Sequence, residues 1–262
     1  AEAPPEVPAE AQAEVPAEAP VEKDIVKEEI VCKMTEKLLL GKWKSYFPPN
    51  YIEKFYSNEN SVCNYLLILD IIKDNNPEES ELTVTGLKNQ LVNIYSTYKE
   101  YISNILKILE IQGKGSLIKI IKKTKTTIDI LILSEEYYLT NLDISLIAIH
   151  YNIPLIFVSS TLLSDMNNKP FIVINSSNNS EFYIIRTPGL RAEGFPVHKL
   201  ICSKTELKVQ INDLKEQFKK DIIANITNDF VNKYIIDYQK KKPKKLVLVE
   251  KDVSKIGSIK LG

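Results

Sequence analysis

YYLTNLDISLIAIHYNIPLIFVSS, running from Tyr137 to Ser160, holds a helix and a strand with almost nothing between them. Leu142, Leu146 and Ile147 recur at helical spacing, with Ile144 and Ala148 beside them. Thr140 or Asn141 is placed to accept a hydrogen bond from the free N–H groups that open the helix. Asp143 follows in the first turn, where the positive end of the helix dipole favours a carboxylate. Tyr151, Asn152 and Pro154 then break the helix. The apolar run Ile153 to Val158 has the length and β-branched content of a buried strand. The stretch therefore predicts one helix laid directly on a sheet, without naming any chemistry.

The 262 residues around it allow one medium domain with appendages, or two small ones. A hydrophobic content of 44% is ample for a core, and the formal net charge of zero points to neither nucleic acid nor membrane. That zero conceals an asymmetry. Glu2, Glu6, Glu10, Glu14, Glu18 and Glu22 make an acidic N-terminal tail, whereas Lys240, Lys241, Lys242, Lys244 and Lys245 make a basic C-terminal one. No apolar stretch reaches the roughly 20 residues of a membrane span, and no signal peptide is visible. The sequence begins at Ala1, inside a low-complexity run, which reads as part of a longer polypeptide. Cys32, Cys63 and Cys202 do not suggest a disulfide framework, and Cys32 and Cys202 read as buried thiols. Without a Cys-x-x-Cys and with only two histidines, no structural zinc and no cofactor are expected. These features suggest a reducing, intracellular setting.

Residues 1–23 repeat an EVPAEA unit, at Glu6–Ala11 and Glu14–Ala19. Frequent proline and small side chains predict an extended, disordered linker. From Asp24, the residues Ile25, Ile30, Val31, Met34, Leu38 and Leu39 suggest a helix that ends at Gly41. Val62 to Leu69 reads as a buried helix or a strand, since periodicity cannot decide so apolar a run. Helices are expected around Leu87–Tyr98 and Tyr101–Leu109, the second ending at Gly113 and Gly115. Thr127–Ser134 fits either a strand or a helix. After a polar turn at Asp165–Lys169, Phe171–Ile174 and Phe182–Ile185 suggest a hairpin across Asn175–Ser180. Val197–Cys202 suggests a last strand, and Thr205–Tyr238 returns to a helical pattern. Residues 239–262 form a Lys-rich tail, read as a solvated polybasic segment, with a nuclear-import signal as the alternative.

The order of a helix-initiating Cys, a helical middle, an αβ unit, two strands and a late His resembles the OTU family of papain-like cysteine peptidases. The likeness is to the kind found in large DNA viruses, and it covers about Ser57 to Cys202. Cys63 stands where the family places its nucleophile. Tyr138, Asp143 and Ala148 match its aromatic, acidic and Ala positions ahead of a strand, and His198 lies in the region of its catalytic His. A Cys at a helix N-terminus has its thiolate stabilised by free N–H groups and the dipole, and those amides can also hold an oxyanion. A His from a distant strand would take the thiol proton. Two departures stand out. The family's Asp-Gly-Asn-Cys is here Asn60-Ser61-Val62-Cys63, and matching the last strands puts Pro196 where the His belongs, with His198 two positions late. Two strand positions keep the face but move the side chain by roughly 6–7 Å.

The resemblance implies an α/β (α+β) fold, a small central mixed sheet flanked by helices, with residues 24–204 as the domain and 205–238 as a C-terminal helical extension. It also implies a cysteine protease acting on ubiquitin conjugates, with Cys63 as nucleophile, His198 as general base and Asn60 as an oxyanion or orienting group. The alternative is a catalytically inactive OTU-like binding or scaffolding module, tethered by the Pro/Glu linker to a larger viral protein. The partners implied are ubiquitin or a ubiquitin-like protein and the rest of that polypeptide, with no membrane, inside the host cell in cytoplasm, nucleus or virion. Nucleic acid enters only through the Lys-rich tail. Each residue also has a plainer role: Cys63 as a small core residue, His198 as a satisfied strand residue, Asp143 as a first-turn helix residue. His150 reads as a helix C-terminal cation and Gly113-Lys114-Gly115-Ser116 as a flexible turn.

Overall fold

The computed structural model describes residues 32–57, 60–159, 171–176, 180–187, 195–223 and 230–238. The linker 1–23, the turn Asp165–Lys169 and the Lys-rich tail lie outside them. In chain order the elements are β1 (Met34–Leu38), α1 (Lys42–Tyr46), β2 (Ile52–Tyr56), α2 (Cys63–Asn75) and α3 (Val84–Ser96). Next come α4 (Ile102–Leu109), α5 (Gly115–Thr124), α6 (Ile128–Leu133), α7 (Asn141–His150), β3 (Leu155–Ser159) and β4 (Phe171–Ile174). The last are β5 (Glu181–Thr187), β6 (Lys199–Cys202), β7 (Val209–Gln210), α8 (Glu216–Ile223) and α9 (Phe230–Asp237).

The strands of the described residues form a mixed sheet in the order β1-β2-β6-β5-β3-β4, with β7 also on β5. Neighbours are antiparallel except β3 and β5, which run parallel. Alternation along each strand divides the apolar residues between two cores. Leu155, Phe157, Tyr183, Ile185, Leu200 and Cys202 face the larger one, under α2 to α7 and α9. Ile156, Val158, Phe182, Ile184 and Ile201 face the smaller one with Phe47, Leu214 and Phe218. The α/β expectation of a mixed sheet flanked by helices therefore holds. α9 places Val231, Tyr234, Ile235 and Tyr238 in the larger core.

The helix α2 is fastened along the sheet as well as packed on it. Asp70 and Asp74, one turn apart, accept hydrogen bonds from the hydroxyls of Tyr56 on β2 and Tyr183 on β5. The buried run at Val62–Leu69 is thus a helix, and so is Thr127–Ser134, where Ile130 and Leu133 remain exposed.

Four local expectations are corrected. Met34–Leu38 is an edge strand and not the end of a helix; the cross-strand pairs from Met34–Tyr56 to Leu38–Ile52 outweigh its helical spacing. β4 and β5 do not form a hairpin with each other, because both flank β3. β3 is apolar on both faces and takes a partner on each edge. Asn175 adopts φ 53° after β4, and its amide donates to the carbonyls of Ala148 and Ile153, tying that turn to the α7–β3 connection. Gly115 opens α5 instead of closing a helix. Within Thr205–Tyr238, Val209–Gln210 pairs with β5, a single 3-10 turn follows at Ile211–Asp213, and α-helix begins only at Glu216.

Candidate functional site

The head of α2 is built by Asn60. Its side-chain oxygen accepts from the Val62 amide at 2.8 Å and from the Ser61 hydroxyl at 3.3 Å. The amides of Cys63, Asn64 and Tyr65 donate in turn to the carbonyls of Asn60, Ser61 and Val62. Asn60 is therefore a turn-forming residue, and the amides proposed for an oxyanion are already engaged by the chain itself. Cys63, the first residue of α2, is 2% exposed and forms a disulfide with Cys32. The expectation of unpaired thiols at both positions is thereby corrected. Thirty-one positions separate the partners, and only the pairing of β1 with β2 returns Cys32 to the head of α2. Cys202 is the buried free cysteine among the described residues; burial pushes its thiol up to about 11.

His198 lies just before β6 and is buried. Its Nδ1 is 2.8 Å from the Thr187 hydroxyl, and its Nε2 is 3.1 Å from the Leu139 carbonyl. A carbonyl only accepts, so Nε2 carries the proton and Nδ1 accepts from Thr187. Burial lowers the imidazole to about 4, although the Leu139 carbonyl and Asp143 oppose the shift. The ring is thus neutral at pH 7 and has no free lone pair to take a proton. Asn64, the next residue of α2, joins the segments on either side of it. Its amide nitrogen donates to the Pro196 carbonyl at 2.8 Å, while its oxygen accepts from the Leu139 amide. Leu139 is therefore held by Asn64 on one side and His198 on the other. Cys63 and His198 belong to adjoining segments, but each is bonded to something else.

Below this clamp lies the densest polar cluster of the described residues. Asp143 is fully buried and accepts from Lys114 Nζ at 2.8 Å, the Tyr137 hydroxyl at 2.9 Å and the Thr140 amide at 2.7 Å. The Tyr95 hydroxyl and the Thr140 hydroxyl add two further donors. Asp143 and Thr140 form a capping box at the start of α7, so the first-turn expectation holds, with Thr140 as the cap. Burial opposes ionisation of Asp143, but Lys114 and the other donors outweigh it and hold the carboxyl below its ordinary range. Burial brings Lys114 down to about 8, with Asp143 holding it up. Its ammonium also lies 3.2 Å from the centre of the Tyr137 ring.

Lys114 reaches this position from the kink between α4 and α5, where Gly113 takes φ 99°. Gln112 in the same kink accepts from the Leu142 amide at 3.0 Å. The stretch read as a flexible turn is therefore a clamp on the head of α7. Among the described residues no cluster of His, Cys, Asp or Glu could hold a metal ion, and no helix is long and apolar enough to cross a membrane. His150 ends α7 at the surface, edge-on to the Tyr151 ring at 4.8 Å. No protein-family model, curated protein or solved structure matches this chain.

Proposed function

We propose that this chain is a non-catalytic binding or scaffolding module on an OTU-like frame. One observation carries the proposal: both ring nitrogens of His198 are committed, to Thr187 and to Leu139. A general base needs a lone pair within hydrogen-bond reach of the proton it takes, and this imidazole offers none. The disulfide at Cys63 withholds the nucleophile as well. A saturated polar framework suits a rigid surface that holds a partner, and ubiquitin or a ubiquitin-like protein is the partner the resemblance implies.

An active enzyme has one observation in its favour. Asn64 bonds the Pro196 carbonyl, so the head of α2 and the segment leading to His198 do touch. A ubiquitin with a C-terminal electrophile separates the two possibilities. After reduction of the disulfide, a non-catalytic module binds it without forming an adduct. An adduct at Cys63 that disappears in Cys63→Ala would establish the enzyme instead.

A further inference from the structure

β1 is an edge strand of the sheet that contributes nothing to either apolar core. Among the described residues it pairs with β2 alone, and apart from half-buried Thr35 its side chains are exposed. None of Met34–Leu38 belongs to either apolar core; only Leu39, just past its end, enters the smaller one. On the β1 side its further contacts come from exposed groups, Glu36 with half-buried Lys54 at 3.5 Å and Lys37 over the half-buried Phe55 ring at 5.4 Å, and such pairs contribute little. Against this, Cys32 lies two residues before β1 and is bonded to the head of α2, one of the most buried helices of the domain. The Lys33 carbonyl, between them, accepts from the Ser57 amide at 3.2 Å.

We propose that the Cys32–Cys63 disulfide is a redox latch for this edge of the sheet. When it is reduced, β1 frays from its Cys32 end as far as Leu39 and uncovers the edge of β2, while the rest of the domain stays folded. The latch opens from one side. Cys32 is the more exposed of the two residues, so a thiolate of a small dithiol attacks its sulfur and the S–S bond breaks. Cys63 leaves as a thiolate. The Ser57 hydroxyl, 3.8 Å from its sulfur, and the positive end of α2 stabilise that charge. The second thiol of the reductant then displaces Cys32. The reductant ends as a cyclic disulfide, having given up two electrons, and both cysteines end as thiols. Freed in this way, Cys63 still has no base, because His198 keeps its partners.

The β2 edge is a fit place for such control. An unpaired edge is a template for a further strand, and among the described residues the backbone of Ile52–Tyr56 is covered on that side by β1 alone. Oxidation keeps the edge closed, and passage into a reducing compartment opens it.

Native-state hydrogen exchange on the full chain, with and without dithiothreitol, tests the latch. The closed loop of 31 positions predicts that β1 amides bonded to β2 exchange on the order of 100-fold faster after reduction. β3 and β5 amides keep their rates. Cys32→Ser, studied without reductant, gives the same pattern and separates loss of the bond from any effect of the reagent. Unchanged β1 exchange after reduction overturns the latch. So does acceleration of all strands together, which would make the disulfide a support of the whole fold.

Discussion

Replacing Lys114 by Met lowers the stability of the domain by about 4 kcal/mol, or roughly 10 °C in melting temperature for a chain of this size. The side chain is 0% exposed, and its ammonium is the only cation bonded to the buried Asp143 carboxylate among the described residues. Met fills much of the same volume, so the loss is mainly that of the charge. Asp143 then remains buried with hydroxyl and amide donors but no positive partner. Replacing both residues, Lys114→Met with Asp143→Asn, recovers part of the loss, because the uncompensated charge goes with its partner. Chemical denaturation of the two single variants and the double variant measures this coupling. A loss below about 1 kcal/mol in Lys114→Met, the value of an exposed pair, would contradict a buried pair at the head of α7.

Acid destabilises the domain through His198. Its imidazole is lowered from 6.5 to about 4 by burial. Between those values the unfolded chain binds a proton at His198 that the folded chain does not. Stability is therefore intact above the unfolded value, falls as pH drops through that window, and has lost on the order of 3 kcal/mol from this residue once pH reaches the folded value. His198→Gln removes the titration while keeping a polar side chain between Thr187 and Leu139. Its stability curve from pH 7 to pH 4 is expected to be flatter than the parent's by that amount. Parallel curves would mean that His198 is solvated and free to take a proton.

The αβ unit at Tyr137–Ser160 was legible because its determinants are local. Thr140 and Asp143 are three residues apart, and the apolar run of β3 needs no distant partner to be recognised. Local signals misled where a distant strand decides. Met34–Leu38 has residues suited to a helix, and only its pairing with Ile52–Tyr56 makes it extended. Asn175–Ser180 resembles a hairpin loop, yet the strand that pairs with both β4 and β5 is β3, earlier in the chain.

The site was legible only as a set of positions. Cys63 does begin a buried helix, and His198 does lie before the late strand β6. Their bonding partners, Cys32, Thr187 and Leu139, are between 11 and 59 positions away in the chain. No spacing rule links them. Lys114 was the hardest to read, because a lysine between two glycines carries every mark of a solvated turn. Its burial follows from the turn at Gly113, which aims it at a carboxylate 29 positions later.

The proposal that Cys63 and His198 form no catalytic dyad is tested directly by the pH dependence of Cys63 alkylation in the reduced protein. Iodoacetamide reacts with the thiolate, and Cys202 is distinguished by mapping the modified peptide. With His198 bonded to Thr187 and Leu139, the rate at Cys63 follows a single thiol titration, falls steadily toward acid, and is unchanged in its pH profile by His198→Gln. A rate that stays level down to about pH 5, as a thiolate–imidazolium pair produces, and loses that plateau in His198→Gln would contradict the account.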